Sequence, residues 1–267
     1  MKSTGYILMA LMAVSPLCAQ RYILKDGKVL KPEEVVFKDG ALVKSLGGDA
    51  GEQIYPLAQV VRLDWPEPEE IDQASQLLAL GNAADAELKI TPIYSQFAPF
   101  AKVPGGWWNA AALIRARALL ARQQRADAEK AAQEILATSS DLETLNAAQL
   151  ITLSIQIQLG KGRAADAKLD ELARQEISGT TMAAIAVLRG DIAYARKDFE
   201  KSLEFYLEVP AFHGSELELM PPALLGSARS LRGYGDAARS ERAYLDLLAA
   251  FPTSAEAAIA KRELAAK

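Results

Sequence analysis

One histidine, His213, and one cysteine, Cys18, are all the imidazole and thiol in this chain of 267 residues. A zinc site needs several convergent nitrogen, sulfur or carboxylate ligands, and serine–histidine catalysis needs an imidazole beside the nucleophile. His213 would have to serve either purpose alone, and it stands next to Gly214 in a turn, where a solvated loop residue is the plainer reading. No Gly-x-Ser-x-Gly occurs, and Leu225-Gly226-Ser227 reads as helix. Gly47-Gly48-Asp49-Ala50-Gly51 is glycine-rich, but no lysine and helix start come after it as they do in a phosphate loop. Glu216 and Glu218 have the chemistry to cleave a glycoside, yet nothing separates them from ordinary surface acids. These residues give no catalytic constellation, no cofactor site and no metal site, so the expectation is a protein that is not an enzyme.

Trp107-Trp108, behind Pro104-Gly105-Gly106, is the most distinctive short motif. It reads two ways. The pair is an aromatic platform for sugar or peptide, or one indole anchors the surrounding insertion while the other begins a helix, because tryptophan buries a large apolar area.

Charge narrows the classes of partner. Residues 20–65 carry seven basic and seven acidic side chains, and residues 66–267 carry 22 basic against 27 acidic. Neither stretch is built to neutralise a phosphate backbone, so no nucleic-acid partner is expected.

Residues 1–19 read as an export signal peptide. Lys2 is the positive start, Tyr6 to Val14 is an apolar run too short to span a bilayer, and Leu17-Cys18-Ala19 places a small residue at the cut. Cleavage after Ala19 gives a mature chain that starts at Gln20, with no cysteine, no stable transmembrane segment, and a periplasmic or secreted location. The second reading is a lipoprotein acylated at Cys18, for which Leu17 is a poor fit.

Three regions must position whatever the chain binds with. Residues 20–65 read as β: five short strands between tight turns, with Asp26-Gly27 and Asp39-Gly40 supplying the positive φ of hairpins. They suggest a small SH3-like β module, acting either as a docking surface or as a cap that covers the first helix beyond it. Residues 66–70, Pro66-Glu67-Pro68-Glu69-Glu70, form a proline-rich linker whose last acids suit a helix start. From residue 71 to residue 267 the apolar period changes from two to 3.6, and helices come in pairs, with a last helix at Ala255 to Ala266 that reads as solvent-facing. A small residue recurs early in each second helix: Ala86, Ala128, Ala165, Ser202 and Ser240, spaced 42, 37, 37 and 38 apart.

The stretch from Gly190 to Pro252 carries this repeat twice: Gly190, Asp198, Ser202 and Tyr206, then Ala228, Asp236, Ser240 and Tyr244. It resembles the tetratricopeptide repeat, whose period is about 34. The resemblance implies a mainly α fold, a tetratricopeptide-like α-solenoid, behind the β module. Phe251-Pro252-Thr253-Ser254, with the helix after it, is similar to the repeats of periplasmic envelope adaptors of the barrel-assembly lipoprotein and Tol–Pal-associated cell-division coordinator type. Those families lack this β module. In the tetratricopeptide family the first helix of each pair lines a concave groove, which implies that Arg117, Asp191, Tyr194, Arg229 and Arg232 face a partner here. Three guanidiniums suit a partner's carboxylate. Each arginine is expected at the surface, where replacement costs folding little, within about 0.5 kcal/mol.

The function these features support is a non-catalytic scaffold or adaptor that binds a protein or peptide, an envelope protein on the resemblance; oligomeric state stays open. Two other readings are an envelope glycan-acting enzyme or carbohydrate-binding protein, which needs convergent carboxylates, and a structural subunit assembling through its ends, which needs exposed apolar termini.

Overall fold

The computed structural model describes residues 20–47 and 51–266. The leader, with Cys18 and the cleavage position at Ala19, lies outside the described residues, as does the centre of the glycine-rich tip at residues 48–50. The described residues are mainly helical, with small antiparallel sheets at the amino-terminal end, and they divide into two units.

The first unit comprises the described residues up to Pro66 together with Val103–Gly106. It holds six strands: β1 (Arg21–Leu24), β2 (Val29–Leu30), β3 (Val36–Lys38), β4 (Ala41–Ser45), β5 (Glu52–Pro56) and β6 (Val60–Asp64). They form two three-stranded antiparallel sheets, in the orders β2-β1-β6 and β3-β4-β5. Six strands replace the expected five because the short piece Val29–Leu30 pairs with β1 in its own right, Tyr22 opposite Leu30. Between β3 and β4, Asp39 and Gly40 have φ of 50° and 76°. Two consecutive positive φ values are what a two-residue type I′ turn requires, and the Asp-Gly pair tolerates both. Alternation then sorts the faces: Leu42 opposite Tyr55 is buried, while Val43 opposite Ile54 points away from the core.

Residues 103–106 were expected within the helical region. The Leu63 amide instead donates to the Pro104 carbonyl at 2.8 Å, which ties this loop to β6. A backbone bond of this kind leaves no side-chain pattern by which a sequence could announce it.

The second unit holds eleven helices: α1 (Glu69–Ala79), α2 (Ala83–Phe97), α3 (Trp108–Ala121), α4 (Arg125–Thr138), α5 (Leu142–Gln158), α6 (Gly162–Ala173), α7 (Gly179–Ala195), α8 (Phe199–Phe212), α9 (Met220–Tyr234), α10 (Ala237–Ala250) and α11 (Ala255–Ala265). Each packs on the next, and the odd-numbered helices also touch one another in series. Five of the described starts carry a side-chain cap. Asp141, Ser178, Asp198, Asp236 and Ser254 each accept from the backbone N–H three residues on, which satisfies a donor the helix cannot. α11 is not simply solvent-facing: Ala257 and Ala260 are fully buried, three apart on one face, and Ala260 joins Leu225, Tyr244 and Leu247 in a core cluster.

The recurring small residues occupy one structural position. Ala86, Ala128 and Ala165 are fully buried, and so are Ser202 and Ser240. The two serines make the same bond: Ser202 Oγ donates to the Gly190 carbonyl at 2.9 Å, and Ser240 Oγ to the Ala228 carbonyl at 2.8 Å. Ser202 Oγ also lies 2.9 Å from Ser230 Oγ, so one hydroxyl bridges α7, α8 and α9. A larger side chain has nowhere to go in a close-packed contact of this kind.

Ser202→Leu is therefore expected to overpack the joint and lose about 1–3 kcal/mol. Gly214→Ala, at an exposed turn where an added methyl meets only the Pro210 carbonyl at 3.7 Å, should stay within about 0.5 kcal/mol. Urea midpoints at constant slope measure both; equal midpoints for the two variants would refute the joint.

Candidate functional site

Of the candidate residues, Asp191 and Tyr194 lie on α7, Arg229 and Arg232 on α9 and Arg117 on α3, and contacts from the even-numbered helices help to place the first four. Tyr206 rises from α8 and passes between α7 and α9 at the two points where those helices carry glycine. A methyl added at Gly190 would lie 2.6 Å from its ring, and one added at Gly226 would overlap the ring outright. Through this gap the phenol reaches Asp191 Oδ1, to which it donates at 2.5 Å. One repeat later, fully buried Tyr244 rises from α10 and donates to Glu263 Oε2 of α11 at 2.6 Å.

Arg229 of α9 completes the ladder. Its Nε donates to both Glu263 oxygens, at 3.0 and 3.2 Å, and Nη2 adds a third contact to Oε1. This fork-to-carboxylate geometry is the strong form of an ion pair. Arg232, one turn on, sets its guanidinium 4.8 Å from the Tyr244 ring centre and donates to the Glu263 carbonyl at 3.3 Å. Tyr194 stands at the end of α7, 38% exposed, with its ring edge-on to Phe199 at 5.5 Å.

The two acids of the ladder titrate in opposite directions. Desolvation raises the Asp191 carboxyl above its ordinary range, and the Tyr206 hydrogen bond and the Arg229 charge offset this only in part. Glu263 also feels desolvation, but hydrogen bonds from Arg229 and Tyr244 outweigh it and hold the carboxyl below the usual value. Burial, with Asp191 beside it, pushes the Tyr206 phenol far up, so it stays a donor throughout the physiological range.

The structure thus brings Asp191, Tyr194, Arg229 and Arg232 together, and leaves Arg117 apart. Arg117 sits on α3, 3.8 Å from Glu218, where both line a cavity of about 500 Å³ between α1, α3, the start of α9 and the α10–α11 corner. Arg229 is not a freely solvated cation. It is half-buried and committed to Glu263, so its removal costs a charge-assisted hydrogen-bond set worth about 1–3 kcal/mol rather than the small cost of a surface site. The residues that the sequence reading missed are Tyr206, Tyr244 and Glu263. The two tyrosines were visible as aromatics one turn after a small residue, but that spacing does not reveal a hydroxyl emerging on the far side of a helix pair. Glu263 was hidden because α11 read as exposed.

The other candidate motifs resolve simply. Trp108 starts α3 and is buried, its ring 6.1 Å from Tyr94 of α2, so the Trp107-Trp108 pair does not present two open indoles. Glu216 accepts a hydrogen bond from Thr180 Oγ1 at 2.7 Å. His213 caps the carboxyl end of α8. Among the described residues no group of three or more histidine, cysteine or acidic side chains is placed to hold a metal ion, and no helix is long and apolar enough to cross a membrane.

No family model matches this chain, and no curated protein matches it.

Linkage fixes the sign of a test. A carboxyl raised on folding adds stability below its unfolded value, near 3.9 for aspartate, and that stability is lost as pH rises through the folded value. Asp191→Asn escapes the loss and should raise the melting temperature at pH 7, with the gain shrinking as pH falls to 3. A lowered carboxyl behaves inversely, so Glu263→Gln should lower the melting temperature at pH 7 and converge on the parent in acid. Melts from pH 3 to 8 check both; the same sign for the two variants at pH 7 would contradict the ladder.

Proposed function

We propose that this chain is a non-catalytic scaffold that holds a protein partner on the inner face of a tetratricopeptide-like α-solenoid. The observation that carries the reading is the series of odd-numbered helices, each in contact with the next, with the buried small-residue position of the even-numbered helices repeated five times behind it. In such a stack the first helix of each pair lines one continuous face. Here that face presents Tyr194 and Arg232 to solvent over an internally neutralised ladder, which suits recognition more than chemistry. Its mechanism is preorganisation: stacked pairs hold the surface in place, so binding does not have to order it.

The β module belongs to this reading as an SH3-like cap or docking surface, and the two three-stranded sheets are compatible with either role. The same reading makes the protein exported, cleaved after Ala19 and periplasmic or secreted, with an envelope protein as its partner and kinship to the periplasmic adaptors its carboxyl-terminal repeats resemble.

Immobilised chain from Gln20 onward, exposed to an envelope extract of its own cells, should capture a defined partner identifiable by mass spectrometry. Tyr194→Ala with Arg232→Ala should reduce capture about tenfold or more, while the melt stays close to the parent because neither side chain is buried. Undiminished capture by the folded double variant would remove the inner face from the binding account.

A further inference from the structure

The α1–α2 turn lies against the start of α11. A methyl added at Gly81 would lie 3.0 Å from Ala255 Cβ. The turn after the first helix of the second unit therefore meets the start of the last, and beside this junction is the cavity of about 500 Å³ that Arg117 lines. This is the size of a site that takes a few side chains rather than a domain. Its walls are mostly apolar, with Leu78 from α1, Ile114 from α3 and Phe251 from the end of α10 among them.

Three charged groups line it: Arg117, Glu218 and Glu256. Arg117 and Glu218 stand 3.8 Å apart, beyond hydrogen-bond reach, and both are largely solvated. Glu256, at the first turn of α11, is half-buried. Among the described residues it has no ion pair. Burial holds its carboxyl above the ordinary range, the condition of an acid short of a counter-charge. Once Arg117 and Glu218 offset each other, one negative charge remains over an apolar wall.

That combination selects the occupant. A bare inorganic cation would leave the apolar wall wet, and a purely apolar group would desolvate Glu256 further. A lysine or arginine side chain satisfies both, with an alkyl stem to lie along Leu78, Ile114 and Phe251 and a cation at its tip. We propose that the cavity takes a lysine or arginine side chain from a basic, apolar-flanked segment of a partner polypeptide, with its stem on the apolar wall and its charge on Glu256. This rests on the scaffold reading for the partner being a polypeptide, and it assigns that partner a second contact apart from Tyr194 and Arg232.

The test pans a random dodecapeptide phage library on the full chain. Recovered sequences should be enriched in Lys or Arg flanked by Leu, Ile or Phe. A synthetic, fluorescein-labelled version of the most enriched peptide should bind saturably by anisotropy. Replacing its lysine with norleucine should weaken binding about tenfold or more, as should Glu256→Gln in the protein, whereas the norleucine peptide should be indifferent to Glu256→Gln. Ser75→Lys, on the same wall, supplies an internal cation and should displace the peptide, which keeps the test open should Glu256→Gln not fold. Enrichment of acidic peptides, no enrichment over the input, parent-level binding to either folded variant, or competition by cadaverine at the peptide's own concentration would each overturn the proposal. Partner capture that is lost with Tyr194→Ala and Arg232→Ala yet unmoved by Glu256→Gln would sink this site and leave the scaffold reading standing.

Discussion

The closeness of α7 and α9 to the Tyr206 ring between them is the constraint on which the carboxyl-terminal half depends. Glycine at 190 and 226 removes the two side chains that would block the ring, and Ser202 locks the same joint by donating to the Gly190 carbonyl and meeting Ser230. A tyrosine in this slot does two things at once. Its ring fills the gap between three helices, and its hydroxyl emerges where an aliphatic side chain would leave nothing polar. Tyr244 repeats the arrangement one helix pair later, with Ser240 on the Ala228 carbonyl and its phenol on Glu263. The even-numbered helices thereby determine the chemistry at the surfaces of α7, α9 and α11.

That chemistry is balanced rather than reactive. Arg229 is shared between a close carboxylate, Glu263, and the more distant charge of Asp191. The near acid gains enough from two hydrogen bonds to overcome its desolvation, and the far one does not. One ladder therefore contains a group that strengthens the fold at neutral pH and a group that weakens it. The exposed Tyr194 and Arg232 lie at the edge of this cluster.

Much of this fold was legible in the residues. The Asp-Gly turns, the switch from period two to 3.6 at the proline-rich linker and the buried small-residue positions all rest on local rules, in which a few neighbouring residues decide the outcome. What could not be read depended on partners distant in sequence. The bond from Leu63 to Pro104 is backbone to backbone and carries no pattern. Glu263 looked like one more charge on an exposed helix until Ala257 and Ala260 were seen to face the core. Asp191 and Tyr194 on α7 lie near Arg229 and Arg232 on α9, as their equivalent repeat positions suggest, but register says nothing about occupancy. That Arg229 is already held by Glu263, and that Arg117 belongs to a different cavity, are facts of three-dimensional packing alone.

Whether the ring of Tyr206 sets the spacing of α7 and α9 is decided by a double-mutant cycle between Gly226→Ala and Tyr206→Leu, read by urea denaturation. If the ring occupies the space the new methyl needs, Gly226→Ala is costly in the parent and nearly neutral once the ring is gone. The double variant is then more stable than the sum of the single changes allows, with a coupling of about 0.5–3 kcal/mol. Additivity within about 0.3 kcal/mol would mean that the methyl and the ring never compete, and that the helices are held apart by something else.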